Sequence, residues 1–121
     1  MNTSETNPND GGALTEVDYN TFTKVDMRVG TVKSAVRVPD TDKLICMQVS
    51  FGSFDRQIVA GIGKVFTPES LSGRQFIFVV NLAPRKLRGV ESHGMMLAAS
   101  DKDKLALIVP DSNATDGASV G

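Results

Sequence analysis

The sequence is short of the residues most enzymes use for chemistry. One histidine and one cysteine stand among its 121 residues, and no His-x-Glu or paired-cysteine spacing occurs. A zinc site or a Cys–His nucleophile pair therefore lacks members. Cys46 has no partner for an internal disulfide, and its neighbours Ile45 and Met47 predict a buried small side chain. No apolar run approaches the roughly 18 residues a spanning helix needs. The opening MNTSETNPNDGG lacks the basic and apolar regions of a signal peptide. The expectation is a cytoplasmic protein with no membrane segment. Gly61-Ile62-Gly63-Lys64 resembles a phosphate loop only superficially, because the earlier glycine and the Ser or Thr after the lysine are missing. It is read as the turn after a strand. The carboxylate pairs Asp40/Asp42 and Asp101/Asp103 lie in turn-like, charged surroundings with nothing to raise a pKa for acid catalysis. No catalytic residue, metal or cofactor is expected.

A strong charge of one sign is also missing: the net charge is -1. The charges are nevertheless unevenly placed. Residues 1–26 balance at -4, residues 27–98 at +5, and the remainder at -2. A moderately basic body is compatible with a polyanion partner but does not establish one.

Residues 1–16 read as a disordered acidic tail with almost nothing to bury. Residues 17–121 read as one domain, since 40% hydrophobic content supports one modest core. Val17, Tyr19, Phe22 and Val25 are spaced as on one helical face. From there the pattern turns to short β-branched segments near Met27–Val38, Leu44–Ser50, Arg56–Ala60, Gln75–Val80, Met95–Ala99 and Leu105–Val109. In the first, Val32, Val36 and Val38 take one face, and Gly30 marks a candidate bulge or bend. Pro39-Asp40-Thr41-Asp42 fits the first turn, and the Phe51–Asp55 segment fits a hairpin loop. Thr67-Pro68-Glu69-Ser70-Leu71 has a capping threonine, a proline at the first helical position and a stop at Gly73. A helix after three strands predicts an all-β oligonucleotide-binding fold (OB-fold): a five-stranded Greek-key barrel with short flanking helices and extra terminal strand segments.

The stretch Asn81-Leu82-Ala83-Pro84-Arg85-Lys86-Leu87-Arg88 places three bases within four positions, between two strands. In this fold the loop joining the fourth and fifth strands closes over nucleic acid, so these bases are candidates for a polyanion track. A merely solvated basic loop is the plainer alternative. His93, in polar Glu91-Ser92-His93-Gly94, could touch a phosphate or a base, or be an exposed loop histidine.

Five blocks, in order, resemble the tRNA-binding domain family: Val25-Asp26-Met27-Arg28-Val29-Gly30, Pro39-Asp40-Thr41-Asp42-Lys43-Leu44, Arg56-Gln57-Ile58-Val59-Ala60-Gly61-Ile62, Asn81-Leu82-Ala83-Pro84-Arg85-Lys86-Leu87 and Glu91-Ser92-His93-Gly94-Met95. The resemblance covers about residues 17–121. The family includes the C-terminal extension of methionyl-tRNA synthetases and stand-alone tRNA-binding proteins. With no catalytic domain ahead of it, the chain is expected to be a stand-alone member or a detached synthetase appendix.

The resemblance implies structure-specific binding at the outer corner of tRNA, with little preference between species. It also implies a homodimer built by segments flanking the barrel, and a possible methionyl-tRNA synthetase partner. Lys33, Ser92 and Met95 match positions the family uses at the RNA surface. Asn81, Arg85 and Lys86 match its basic-loop motif, and Arg88 adds charge where the family commonly has an apolar residue. Met95 could instead pack in the core, and Asn81 could instead hold the loop shape. Two rival functions remain. One is an export chaperone of the CsaA kind, with the same barrel and a groove for unfolded peptides; the blocks at Thr41–Leu44 and Arg56–Gly61 look more like the tRNA-binding branch. The other is a subunit that chiefly docks a synthetase.

Overall fold

The structure, a computed structural model, describes residues 14–121; most of the expected acidic tail lies outside them. The first element, α1 (Tyr19–Phe22), is capped by Asp18, whose Oδ1 accepts from the Thr21 amide at 2.8 Å. The longer helix expected from Val17 to Val25 shrinks to this one turn. A helical nucleus is costly without tertiary burial, and none of the helix residues is buried.

The barrel begins with β1 (Met27–Arg37), β2 (Ile45–Ser50) and β3 (Asp55–Ala60). Next come α2 (Pro68–Leu71) and β4 (Gln75–Val79). After a hairpin of β5 (Arg85–Leu87) and β6 (Val90–Ser92), the fifth barrel strand is β7 (Met95–Met96). The strands pair antiparallel in the order β3-β2-β1-β4-β7. The His93 amide donates to the Gln57 carbonyl at 2.7 Å, bringing the chain ahead of β7 against the edge of β3 and nearly closing the barrel. This is the expected oligonucleotide-binding architecture. The helix between its third and fourth strands has the predicted cap: Thr67 Oγ1 accepts from the Ser70 amide at 3.2 Å, with Pro68 in the first turn. A further hairpin, β8 (Ala98–Asp101) with β9 (Lys104–Leu107), follows, and β10 (Ser119–Val120) pairs with the start of β1. The single strand expected over Met95–Ala99 thus divides at Leu97, whose amide bonds the Ile77 carbonyl.

Alternation in β2 builds the core. Ile45, Met47 and Val49 face inward with no exposed surface, each contributing about 1.5–3 kcal/mol of burial. They meet Ile58, Phe51, Phe76 and Phe78, and the last packs edge-on against Phe51 at 5.5 Å. The same alternation turns Cys46 to the outer face, opposite Val36, where it is half-buried rather than in the core. Desolvation there pushes its thiol pKa up.

The expected face of β1 needs a second correction. Val32 pairs with Val49 and Ser34 with Gln48, which leaves Lys33 as an unmatched, bulged residue. A bulge resets the side-chain parity of a strand. Ala35 therefore packs on the core while Val36, expected beside Val32, is 61% exposed. Gly30 is not the bulge. It is a point of close approach, where a Cβ would stand 2.6 Å from the Phe51 ring and 2.7 Å from Val49 Cγ1.

Candidate nucleic-acid interface

The basic segment, read from sequence as a loop, is itself a hairpin. Arg85 pairs with Ser92, Lys86 with Glu91 and Leu87 with Val90. Arg88 and Gly89 form the two-residue turn at φ 52° and φ 80°, the left-handed pair that matches strand twist. Glycine adopts that conformation freely; arginine does so at a cost of about 1 kcal/mol. Arg85, Lys86 and Arg88 are all exposed. The ion pairs among the described residues, Arg28–Asp26 and Lys33–Asp55, include none of them.

Two polar side chains anchor this hairpin. Asn81 Oδ1 accepts from the Asp26 amide at 2.9 Å, and its Nδ2 donates to the Lys24 carbonyl at 2.6 Å. The root of the hairpin is thereby tied to the segment before β1, the loop-holding alternative for Asn81. Ser92 is buried at 1% exposure. Its Oγ accepts from the Val59 amide at 2.9 Å and donates to the Gly94 carbonyl at 3.3 Å. The Ser92 hydroxyl is thus engaged within the fold, where β3 presents an edge amide that needs an acceptor.

Arg85 and Met95 come together. With Leu82, Ala83, Ser92 and Gly94 they line a groove of about 370 Å³. Met95 is 42% exposed while Met96 is buried, so the core-packing role considered for Met95 belongs to its neighbour.

Lys33 stands apart from the groove. Its Nζ lies 2.9 Å from Asp55 Oδ2 on the outer face of β1 to β3, with both side chains about half exposed. Two amides not singled out from sequence stand between it and the hairpin. Gln48 Nε2 donates to Gln57 Oε1 at 2.9 Å, and Gln57 Nε2 donates to the Glu91 carbonyl at 2.7 Å. Their signal was available: both occupy the outward phase of strands whose inward phase is apolar. His93 is half-buried beside them, held through its own amide.

The turn between β1 and β2 carries two bases against two acids, Asp40 and Asp42, and its arginine is engaged by the fold. Arg37 Nη1 donates to the carbonyls of Asp42 at 3.1 Å and Gly63 at 2.9 Å, and the Lys43 stem lies along Gly61. The Gly61–Lys64 segment is the turn after β3, as expected. Among the described residues no group of three or more His, Cys, Asp or Glu is placed to hold a metal ion, and no helix is long and apolar enough to cross a membrane.

Residues 27–119 match the profile of the family described as "Putative tRNA binding domain". A methionine–tRNA ligase of Caldanaerobacter subterraneus subsp. tengcongensis is 45% identical over 108 residues, which are 87% of this chain and 17% of that protein. A methionine–tRNA ligase of Pyrococcus furiosus is 44% identical over 104 residues, covering 86% of this chain and 14% of that protein. The chain therefore spans about a sixth of the length of these curated relatives. Among solved structures, a MetRS related protein from Pyrococcus horikoshii superposes with a TM-score of 0.85 at 44% identity, over 89% of this chain and all of that one. The chaperone CsaA of Bacillus anthracis superposes with a TM-score of 0.82 at 26% identity, over 88% of this chain and all of that one. Barrel, hairpin and sequence agree: the chain belongs to the tRNA-binding domain family.

Proposed function

We propose that this chain is a non-catalytic module that binds folded tRNA by shape and backbone phosphate, with little preference among tRNA sequences. The observation that carries the reading is the β5–β6 hairpin. It presents Arg85, Lys86 and Arg88 outside the ion pairs of the described residues, on a frame fixed by Asn81 and Ser92. Folded RNA offers dense phosphate and few readable base edges in its deep major groove, so cations on a rigid support suit it. In this reading Arg85, Lys86, Arg88 and Lys33 meet phosphates. Met95 packs on a ribose or base in the groove, and Asn81 and Ser92 act by positioning the hairpin.

The module works as a homodimer in the cytoplasm, beside a methionyl-tRNA synthetase that it serves in trans. Support for the dimer comes from the flanking segments: Leu14, Val17, Tyr19 and Phe22 stand 65, 64, 76 and 44% exposed. Apolar side chains grouped in this way mark contact surfaces. Support for the synthetase comes from the similarity to segments of methionine–tRNA ligases.

The test is a titration of bulk tRNA and of an unstructured RNA of equal length at several salt concentrations. Tighter binding of tRNA is expected, with a log–log salt slope of roughly -3 to -4 if four cations each neutralise a phosphate. Equal affinity for the two RNAs, or a complex indifferent to salt, overturns the reading. The likeness to CsaA and the apolar part of the groove, Leu82 with Met95, favour peptide binding as the second reading. An unfolded peptide that binds where neither RNA does would establish it.

A further inference from the structure

Arg28 and Arg56 lie outside every assignment made so far, and both point into the end of the barrel. Arg56 pairs with Val49, an inward position of β2, and Arg28 pairs with Phe78, an inward position of β4. Their guanidinium carbons stand 4.8 Å and 5.5 Å from the centroid of one ring, that of Phe54. Phe54 is stacked in turn on Phe51 at 5.3 Å. Cation–π contacts of this kind hold a guanidinium in a fixed plane and leave its donors for another partner.

The two arginines differ in what they hold. Arg28 is matched by Asp26, through Nε at 2.9 Å and Nη2 at 3.1 Å. Arg56 has no such carboxylate: its acidic neighbour Asp55 is engaged by Lys33, and its Nε is buried without any hydrogen-bond partner. A buried donor left unpaired costs about 1–3 kcal/mol, and in a native fold such an atom calls for an ion or water to complete it.

We infer that Arg56, supported by Arg28 across Phe54, is a second anion site that receives a backbone phosphate of the bound RNA at the barrel end next to Lys33. The inference rests on the tRNA-binding reading and extends its track beyond the hairpin. The guanidinium edge presents two parallel N–H groups, a geometry that suits two phosphate oxygens. With Asp26 on Arg28 and Asp55 on Lys33, Arg56 is left without a carboxylate in the ion pairs of the described residues.

Two measurements test it. In the full chain, Arg56→Met and Arg56→Lys are titrated with bulk tRNA across a salt series, alongside Arg85→Ala/Lys86→Ala, with thermal unfolding as the control for folding. Arg56→Met is expected to weaken binding about fivefold at 0.15 M salt and to reduce the slope by about 1, whereas Arg56→Lys, which keeps the charge, retains the slope. An arginine that serves only the fold would shift the melting temperature in both variants and leave the slope of the wild type; that outcome overturns the inference. Should Arg56→Met not fold, phenylglyoxal modification of the unaltered protein, read by mass spectrometry, decides the question. Protection of Arg56 by bound tRNA is expected, and equal modification with and without tRNA overturns the site. If the unaltered protein fails to bind tRNA, the broader reading falls. If it binds and only the hairpin variant loses affinity, this site alone falls.

Discussion

At the β1–β2 turn the guanidinium of Arg37 spans the carbonyls of Asp42 and Gly63, which stand 26 residues from it in the second case. In the β5–β6 hairpin, Arg85, Lys86 and Arg88 take part in neither ion pair found among the described residues. Both regions carry arginines, and both lie in connections of a small barrel. In one, the charge closes the fold; in the other, the fold holds the charge out to solvent. A count of Lys and Arg along the sequence treats them alike, and so overstates the part of the +5 body available to a polyanion.

The contrast can be broken most directly at the hairpin. Arg85→Ala/Lys86→Ala is expected to weaken tRNA binding about 30-fold at 0.15 M salt, and to lower the salt slope by about 2, if each cation releases counterions from one phosphate. The unfolding midpoint should stay within error of the unaltered protein, because neither side chain holds another element. Filter binding across a salt series together with thermal melts reads both quantities. Retained affinity would mean that the hairpin is a solvated basic loop.

Arg37→Ala is the converse. Two charge-assisted bonds to backbone carbonyls are lost, at a partly exposed site, so destabilisation of about 1–2 kcal/mol is expected in urea unfolding, with the tRNA salt slope unchanged. A lowered slope would place Arg37 on the RNA and erase the distinction between the two regions.

Arg88→Gly sharpens the comparison within a single residue, because its effects on stability and on binding should have opposite signs. Relief of the left-handed conformation at φ 52° is expected to raise stability by about 0.5–1 kcal/mol. Loss of the charge lowers the salt slope by about 1. A variant that melts lower would show that the arginine is held by a contact of its own.

The smallest expected effect concerns acid. The hydrogen bond from Arg28 holds the Asp26 carboxyl below its ordinary value of 3.8. A group whose pKa is depressed by folding adds stability that is fully present above the unfolded value and is lost as pH falls through the folded one. Wild type should therefore lose its advantage over Asp26→Asn as pH falls below about 4, the unfolded carboxylate range. A difference between the two proteins that stays constant from pH 7 to pH 3 would remove the ion pair from the stability of the barrel end.

Local chemistry made a good part of this molecule legible. The helix after the third strand was readable because Thr67, Pro68 and Glu69 satisfy and charge its first turn without help from elsewhere. The inward phase of β2 was readable because Ile45, Met47 and Val49 alternate with polar residues, and the same alternation placed Cys46 outside, against the expectation drawn from its apolar neighbours. Other features were illegible because they depend on pairings between distant segments. Val36 faces solvent only because the register with β2 bulges at Lys33. Ser92 is buried only because the Val59 amide of another strand lacks a ladder partner. The basic run became a two-stranded hairpin with a left-handed arginine at its tip.

By itself the sequence determined the inward phase of β2, the capped helix, the family and the list of cations, since each of these is written in local runs of residues. Tertiary structure alone decided which cations are left for a ligand. Whether a guanidinium is free depends on which backbone carbonyls the fold brings within hydrogen-bond reach of it, and those carbonyls belong to residues far away in the chain.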